Sequence, residues 1–550
     1  KSQKKDIIFN KRILALCLTF AFLFSFIIYR IYTVSSTVSY KNASHNQSTG
    51  ILKLYENRGY IYDCNLKPIV NNTKEYIYII NPYEADIYQI LTFFKDDEDY
   101  IKNKFKEKSP FIMKSATPKF EKSEDIPQGI KEETGYKRYS GLCSHLIGYN
   151  GENGGIVGIE QAFDSVLKEN IQSKSLIFSK NAVGIMTSQN YEIDEKINKK
   201  GVVLTIDANL QKICEQAFLN NYDKGAVIIM DCQTGEIKAS ASFPVYDQTN
   251  VGKSLNSKNS PLVNKAFANY DLGSVFKLCV CASAIENGIS TNFTYDCPGY
   301  YKNADGSKID CFNKNGHGIV DMEKATEVSC NPYFIALAKE IGAEKLLKTA
   351  ESFGFGKYTE FTKGFGDKGG NLPSLKTLED AGEFANFGFG QGGLLVTPVQ
   401  VAALISTIAN GGNYIYPSIV KGISNVEGTQ IDTFEKTPAS TQIIKRTTAS
   451  IISDFMEKVV LKGSGTKAKS ELFLSCGKTG SAETGWKTES GDMIVQGWFA
   501  GFFPYINLTQ ENQKKYAVVV LCENGKSGAT AAAPIFKEIS EKMFKDGYFN

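Results

Sequence analysis

Three short motifs with complementary chemical roles follow one another along this chain and constrain its fold more than any other feature. Each is weak alone, since the pattern Ser-x-x-Lys also occurs at Ser165–Lys168 and Ser464–Lys467. Together they supply a nucleophile with its base, a proton relay with an amide clamp, and a strand edge that can hold a carboxylate. The set predicts an active-serine acyl transferase. The motifs are Ser274-Val-Phe-Lys277, Ser329-Cys330-Asn331 and Lys478-Thr479-Gly480.

The first motif opens a segment, Ser274 to Asn287, that is apolar on nearly all sides and predicts a helix in a domain interior. Ser274 and Lys277 lie one turn apart on the same face of such a helix. Burial should lower the pKa of Lys277, so that its neutral amine can accept the serine proton. The helix N-terminus would favour negative charge on Ser274. The alternative is a capping serine followed by a lysine that reaches the surface.

The second and third motifs each allow a purely structural explanation. Asn331 precedes a proline, which predicts that Asn331 is the N-cap of a helix with Pro332 in its first position. Capping alone would then explain Asn331. The third motif ends a strand-like run, Leu472 to Gly480. There the glycine would leave room for a substrate backbone along the strand edge, unless it only forms a turn.

The N-terminal residues predict a membrane anchor. The uncharged apolar run from Ile13 to Tyr29, which continues past Arg30, is just long enough to span a bilayer. Basic residues precede it, so we expect a cytoplasmic tail over 1–12, an anchor over 13–32 and the remainder of the chain on the extracytoplasmic side. A cleaved signal peptide is the alternative, although no small-x-small site follows closely.

Beyond the anchor, the residue pattern of the chain changes near residues 195–205, where we place a domain boundary. Residues 33–200 contain strand-like runs and a lysine-rich stretch but no catalytic constellation, and they predict a mainly β pedestal. Residues 201–550 intermix α and β patterns, beginning with a predicted hairpin over 226–243. The formal net charge of only +3 gives no reason to expect a nucleic-acid partner.

In this order and spacing, the three motifs resemble those of the penicillin-binding proteins and serine β-lactamases. Further blocks are similar to those of the class B, or monofunctional, penicillin-binding proteins, and the resemblance covers about residues 50–545 and the anchor. These blocks are Asn264-Lys-Ala-Phe, Gly388-Phe-Gly-Gln-Gly392, Thr397-Pro398-Val-Gln400 and Gly497-Trp498-Phe499-Ala500-Gly501, with Arg58-Gly59-Tyr-Ile-Tyr-Asp63 and Gly158-Ile-Glu160 upstream.

The resemblance implies an α+β transpeptidase domain: an antiparallel sheet of about five strands with helices on both faces, and a helical subdomain that carries the first two motifs. It implies peptidoglycan D,D-transpeptidation, in which Ser274 attacks the D-Ala-D-Ala stem peptide and β-lactams acylate the same serine. A multi-span glycosyltransferase is the implied partner, and we expect no such domain within this chain. The alternatives are a β-lactamase of the same fold and a non-catalytic β-lactam sensor or scaffold.

The family's site roles carry over position by position. Ser274 would be the acylated nucleophile and Lys277 the general base. Ser329 would pass protons, and Asn331 would bind an amide of the acyl donor. Lys478 and Thr479, with Gly480, would hold the terminal carboxylate. The backbone N–H groups of Ser274 and Ser481 would form the oxyanion hole.

The cysteine pattern suggests a metal site as well. Cys297, Cys311, His317 and Cys330 fall within one short stretch, and the last lies inside the second motif. Cys3His is an ordinary ligand set for structural zinc, and some class B penicillin-binding proteins resemble this arrangement beside their active site. A Cys297–Cys311 disulfide is one alternative, and free thiols are another.

Overall fold

The computed structural model describes residues 2–37, 49–181, 186–434, 440–487, 491, 493–505 and 513–549. Its contacts divide the chain into two compact units. The first comprises residues 1–57, 73–137 and 171–197, and the second comprises 58–72, 138–170 and 198–550. Two segments from the stretch predicted as a pedestal therefore belong to the same unit as the three motifs.

The N-terminal helix runs from Ser2 to Ser36 and is longer than the predicted anchor. Within Ile8–Ser36, the most apolar 18-residue window has a mean hydropathy of 2.1, and the segment is long and apolar enough to cross a membrane. None of its strongest apolar window is buried in the protein. An unburied apolar helix of this length matches the composition of a membrane span.

Beyond this helix, the described residues of the first unit form two three-stranded antiparallel sheets and two helices. Alternate apolar residues of the strands, among them Leu54, Ile77 and Leu176, pack into one core, as the period of two in a half-buried strand requires. The sheets are formed by Thr49–Asn57, Gln172–Lys180 and Met186–Lys196, and by Phe111–Ser115, Thr73–Ile80 and Ile130–Lys137; the helices are Ile87–Phe93 and Glu98–Glu107.

A five-stranded antiparallel sheet forms the centre of the second unit, as predicted. Two of its inner strands, Gly225–Asp231 and Tyr516–Cys522, are almost entirely apolar, as expected where both faces of a sheet are covered. The expected strand at Leu472 begins later, at Cys476, and continues beyond the third motif. In spatial order the strands are Ile237–Phe243, Gly225–Asp231, Tyr516–Cys522, Met493–Phe503 and Cys476–Lys487, the last being the edge strand.

Side chains of these strands alternate between two cores. Ile228 packs in the same core as helix Pro398–Ala409, which is buried along its whole length. Val227 and Ile229 pack in the other core, with helices Ala208–Asn221 and Gly528–Lys545. The sheet thus carries helices on both faces, which confirms the expected α+β architecture.

The second unit contains several smaller elements around this sheet. A four-stranded sheet is formed by Tyr60–Tyr62, Gly201–Leu204, Val420–Ser424 and Ile431–Thr433. Further helices are Ser144–Ile147, Gly158–Ala162, Asp164–Glu169, Lys277–Glu286, Met322–Glu327, Asn331–Ile341, Ala343–Ser352, Ala381–Gly388 and Arg446–Leu461. Short strand pairs are Asn150–Gly151 with Gly154–Gly155, Tyr270–Asp271 with Leu395–Val396, Tyr295–Cys297 with Gly318–Val320, Tyr300–Lys302 with Lys308–Asp310, Glu360–Thr362 with Phe365–Gly366, and Asn413–Tyr414 with Thr441–Gln442.

Two upstream sequence blocks meet at a buried carboxylate. Glu160 is fully buried and accepts hydrogen bonds from Arg58 Nε at 2.9 Å and Arg138 Nε at 2.7 Å. Arg138 also donates to the carbonyl oxygen of Arg58 at 2.8 Å. The two guanidinium groups share Glu160, and Arg58 is also paired with Asp164 at 2.6 Å. These contacts tie the segments 58–72 and 138–170 together within the second unit.

Replacing Glu160 with alanine should destabilise the second unit by about 3 kcal/mol, because it leaves the partly buried Arg138 without its ion-pair partner and Arg58 with Asp164 alone. Urea unfolding followed by circular dichroism measures the change. Glu56→Ala is the control, since the Glu56–Lys53 pair is exposed and should contribute less than about 1 kcal/mol. Equal losses in the two variants would contradict this account of the cluster.

Candidate active site

The first motif lies on a 3-10 turn, Gly273–Phe276, which leads directly into helix Lys277–Glu286. We call Gly273–Phe276 the nucleophile turn. The turn and helix together span the predicted helical segment, and the helix is buried over most of its length. Ser274 is half-buried, one turn before Lys277. The structure therefore keeps the serine accessible while its neighbours lie in the core.

The Gly388–Gly392 block packs directly against the nucleophile turn. The backbone N–H of Gly273 donates to the carbonyl oxygen of Gly390 at 2.9 Å. Gly390 has a φ of +92°, and a Cβ there would lie 2.0 Å from the carbonyl oxygen of Gly273. A glycine is required at this position for both conformation and close approach.

Lys277 joins the first two motifs. Its Nζ donates to Asn331 Oδ1 at 2.7 Å, and to the carbonyl oxygen and Oγ of Ser329 at 2.8 and 3.2 Å. The side chain is fully buried, as the apolar helix predicted. Burial lowers the pKa of Lys277 to about 8, because the charged form loses its hydration. A substantial neutral fraction is then available at neutral pH to accept a proton.

The second motif adopts an unusual backbone conformation. Ser329 has a φ of +57°, which few residues other than glycine adopt, and such positions concentrate at functional sites. Helix Asn331–Ile341 starts directly afterwards with Cys330 as its N-cap residue, so the expectation that Asn331 is the N-cap is wrong. Asn331 uses its amide elsewhere, accepting from Lys277 and donating to the carbonyl oxygen of Asp310 at 3.2 Å.

Lys478 brings the third motif to the same point. Its Nζ donates to Ser329 Oγ at 2.9 Å and to the carbonyl oxygen of Thr479 at 3.0 Å. Burial, followed by the nearby charge of Lys277, holds the pKa of Lys478 well below its usual range. Two buried lysines thus meet at one hydroxyl, which can exchange protons with either of them.

Thr479 has a partner that the sequence analysis missed. Its hydroxyl lies 2.8 Å from the Ser464 hydroxyl. The backbone N–H of Ser464 donates to the carbonyl oxygen of Glu327 at 3.1 Å, in the helix just before the second motif. The only sequence signal was Ser464 in a stray Ser-x-x-Lys pattern, and nothing local predicts a contact with the edge strand.

Gly480 lies tightly against the nucleophile turn. A Cβ on it would lie 2.9 Å from the carbonyl oxygen of Leu272 and 3.1 Å from a methyl of Val275. The side chain that is absent would therefore meet the nucleophile turn rather than open space along the strand. The glycine lets the edge strand approach the turn closely.

The next residue, Ser481, lies at the same contact. A Cβ on Gly273 would lie 3.1 Å from the carbonyl oxygen of Ser481, so the strand and the turn lie side by side. The Ser481 hydroxyl accepts a hydrogen bond from the backbone N–H of Gly528 at 3.2 Å. Backbone N–H groups from the turn and the strand that lie this close could jointly stabilise an oxyanion.

The four predicted metal ligands converge beside the second motif. The ligand atoms of Cys297, Cys311, His317 and Cys330 all lie within 4.8 Å of one another. His317 Nδ1 is 3.4 Å from Cys311 Sγ and 3.7 Å from Cys297 Sγ. Cys297 and Cys311 are free thiols in the structure, not a disulfide. Contact with Cys330 holds the pKa of the Cys311 thiol below its ordinary value.

Residues 225–541 match the penicillin binding protein transpeptidase domain. The chain belongs to this family. The expected membership of the class B penicillin-binding proteins is thereby confirmed, together with the relatives described next. The match includes all three motifs and every strand of the central sheet.

Named relatives agree with this assignment. The chain is 30% identical to the stage V sporulation protein D of Bacillus subtilis over 73% of this chain and 62% of that protein. It is 24% identical to the peptidoglycan D,D-transpeptidase MrdA of Acinetobacter baumannii over 90% of this chain and 82% of that protein. Among solved structures, the Helicobacter pylori penicillin-binding protein PBP2 in complex with MreC has a TM-score of 0.63 and 23% identity, covering 91% of this chain and 100% of that one.

Replacing Gly480 with alanine should destabilise the penicillin-binding domain by about 1–3 kcal/mol, since the added methyl would press on backbone of the nucleophile turn. The shift in thermal unfolding temperature measures the loss. Gly252→Ala is the control, because a Cβ at that exposed position meets no atom closer than 3.9 Å. An unchanged melting temperature in Gly480→Ala would contradict the tight contact.

Proposed function

We propose that this penicillin-binding protein is a membrane-anchored peptidoglycan D,D-transpeptidase that works through an acyl-enzyme on Ser274. The observation that carries the proposal is the convergence of Lys277 and Lys478 on the Ser329 hydroxyl. That contact brings the three motifs into one site with a base, a proton relay and a carboxylate-binding edge. The names and the domain of its relatives support the same reaction.

The acylation step follows from the positions of the two lysines. Neutral Lys277 takes the proton of Ser274 while Ser274 Oγ attacks the carbonyl carbon between the two D-Ala residues of a stem peptide. The peptide bond to the terminal D-Ala then breaks. The leaving amine receives a proton through Ser329, whose hydroxyl contacts both lysines. An acyl ester on Ser274 remains.

The second step transfers the acyl group. The amine of a neighbouring stem peptide attacks the ester carbonyl and loses its proton through the same relay, and Ser274 Oγ leaves as a hydroxyl. The product is an amide cross-link between two stems. Backbone N–H groups of Ser274 and Ser481 would stabilise the oxyanion of both steps.

Recognition of the donor stem peptide would use residues of the second and third motifs. Lys478 and the Thr479 hydroxyl would hold the terminal carboxylate, with Ser464 positioning that hydroxyl. Asn331 would bind the amide of the donor stem. A β-lactam presents a carboxylate and an amide in the same relation, so it would acylate Ser274 and leave it blocked.

We further propose that the catalytic domain lies on the extracytoplasmic side and acts with other proteins of the cell-wall machinery. The apolar helix Ile8–Ser36 and the basic residues before it support this orientation. A relative of the same fold forms a complex with MreC. A multi-span glycosyltransferase that polymerises the glycan strand is the partner we infer from the family resemblance.

Labelling with a fluorescent penicillin tests the nucleophile. Ser274→Ala should lose essentially all covalent label on a denaturing gel, because no hydroxyl remains to form the ester. Ser165→Ala is the control and should label like wild type, since Ser165 begins another Ser-x-x-Lys sequence on an exposed position. Equal labelling of Ser274→Ala and wild type would refute the assignment. Rapid loss of label from wild type would favour the β-lactamase instead.

We also propose that Cys297, Cys311, His317 and Cys330 hold a structural zinc ion. Ligand atoms at the corners of a tetrahedral zinc site lie about 3.6–3.8 Å apart, given ordinary zinc–sulfur and zinc–nitrogen bonds. The observed 3.4 and 3.7 Å separations around His317 agree with that spacing. Bound zinc would hold Cys330, and with it Ser329 and Asn331 on either side, without entering the reaction.

Metal analysis of the full chain, purified without chelators, tests the zinc proposal. We expect about one zinc per chain in wild type and in Cys64→Ser, a thiol outside the cluster. Cys297→Ser should lose most of the zinc because it removes one of four ligands. Less than roughly a tenth of an equivalent in wild type would overturn the proposal.

A further inference from the structure

Trp498 is the largest fully buried side chain in the described structure, and its indole reaches the nucleophile turn. It lies on strand Met493–Phe503, directly opposite Gly480 in the register of the edge strand. Its Nε1–H donates to the carbonyl oxygen of Asp271 at 2.9 Å. Asp271 lies three residues before Ser274, so this bond ties the entry of the turn to the central sheet.

Packing between Trp498 and Gly480 also restricts the position of the nucleophile turn. Trp498 Cβ is 3.1 Å from where a Cβ on Gly480 would lie, and the carbonyl oxygen of Leu272 is 2.9 Å from that point. Trp498, Gly480 and the turn are therefore packed together without space for another atom. A shift of the indole would be transmitted to the turn, because a close-packed interior does not absorb it.

Tyr270 extends this connection to the neighbouring central strand. Its ring packs edge-on against Trp498 with centroids 6.2 Å apart, and its hydroxyl donates to Glu523 at 2.6 Å. Glu523 follows the central strand Tyr516–Cys522 and is paired with Lys224 at 2.9 Å. The residues that lead into the nucleophile turn are thus tied to two neighbouring strands of the sheet.

We propose that Trp498 is a positioning residue for acylation, and that its indole N–H sets the distance between the nucleophile turn and the edge strand. This inference rests on the proposed transpeptidase function. The backbone N–H groups of Ser274 and Ser481, one from each of these elements, must both reach the oxyanion. The Trp498 indole N–H is bonded to the carbonyl oxygen of Asp271, so Trp498 acts through the placement of this pair.

The proposal predicts a particular kinetic signature. Loss of the indole N–H should let the turn shift relative to the strand, which weakens stabilisation of the oxyanion formed in the transition state. The carboxylate contacts at Lys478 and Thr479 lie on the edge strand itself and are retained. Turnover should fall while ground-state binding is unchanged, because an interaction made only in the transition state is affected.

The test measures hydrolysis of an N-benzoyl-D-Ala thioester by the full chain in detergent. Trp498→Phe should lower kcat about 10-fold or more with KM within about twofold of wild type, as expected for a small misplacement of reacting groups. Tyr270→Phe removes the bond to Glu523 without opening a cavity and should lower kcat by a smaller factor. Trp486→Phe, the chain's other tryptophan and 74% exposed, should match wild type.

Thermal unfolding of each variant separates positioning from folding. If Trp498→Phe fails to fold, Tyr270→Phe decides the matter: wild-type kcat in that variant overturns the proposal. Wild-type kcat in a folded Trp498→Phe, or a rise in KM that accounts for the whole loss, would likewise overturn it. Loss of thioester hydrolysis by wild type and all variants would instead refute the proposed function, so the two failures are distinguishable.

Discussion

The contact on which the site depends is the meeting of two buried lysines at the Ser329 hydroxyl. Taking an ammonium group out of water is costly, and two such charges beside one another also repel. The structure offsets this cost with hydrogen bonds that the lysines donate to Asn331 Oδ1 and to backbone carbonyls, and by lowering the pKa of each lysine. Since a lysine that titrates near neutral pH is what proton transfer needs, the unfavourable burial is also the source of the chemistry.

That contact depends on the packing of several elements. Lys277 comes from a helix, Ser329 from a loop and Lys478 from the edge strand, and the core that the sheet shares with its helices holds these elements together. Glycines at 390 and 480 permit backbone to approach the nucleophile turn more closely than any side chain would allow. The nucleophile turn is consequently held between the edge strand at Gly480 and the loop that contains Gly390. Trp498 is hydrogen-bonded to Asp271, just before the turn.

The features that the sequence predicted correctly are those with a local signature. The apolar segment after Ser274, the hairpin over 226–243 and the ordered motifs each follow from neighbouring residues. The contacts that it missed are long-range: Ser464 meets Thr479 across a loop, and Glu160 joins two arginines from distant segments. At Asn331, a local preference competes with a long-range contact. Its place before proline favours a cap, but Lys277 engages its amide and Cys330 becomes the cap residue instead.

Cys330 belongs to both the second motif and the Cys/His cluster. It is the single residue between the proton relay at Ser329 and the amide group of Asn331, and its thiol lies within the Cys/His cluster. Its backbone N–H is bound to the carbonyl oxygen of Ala325 at 2.9 Å, which fixes the loop where Ser329 has its left-handed conformation. With the backbone held by that bond, zinc bound to the thiol would restrict both neighbours as well. Under the zinc proposal, the residue that the motif leaves unspecified would set the geometry of the two that it names.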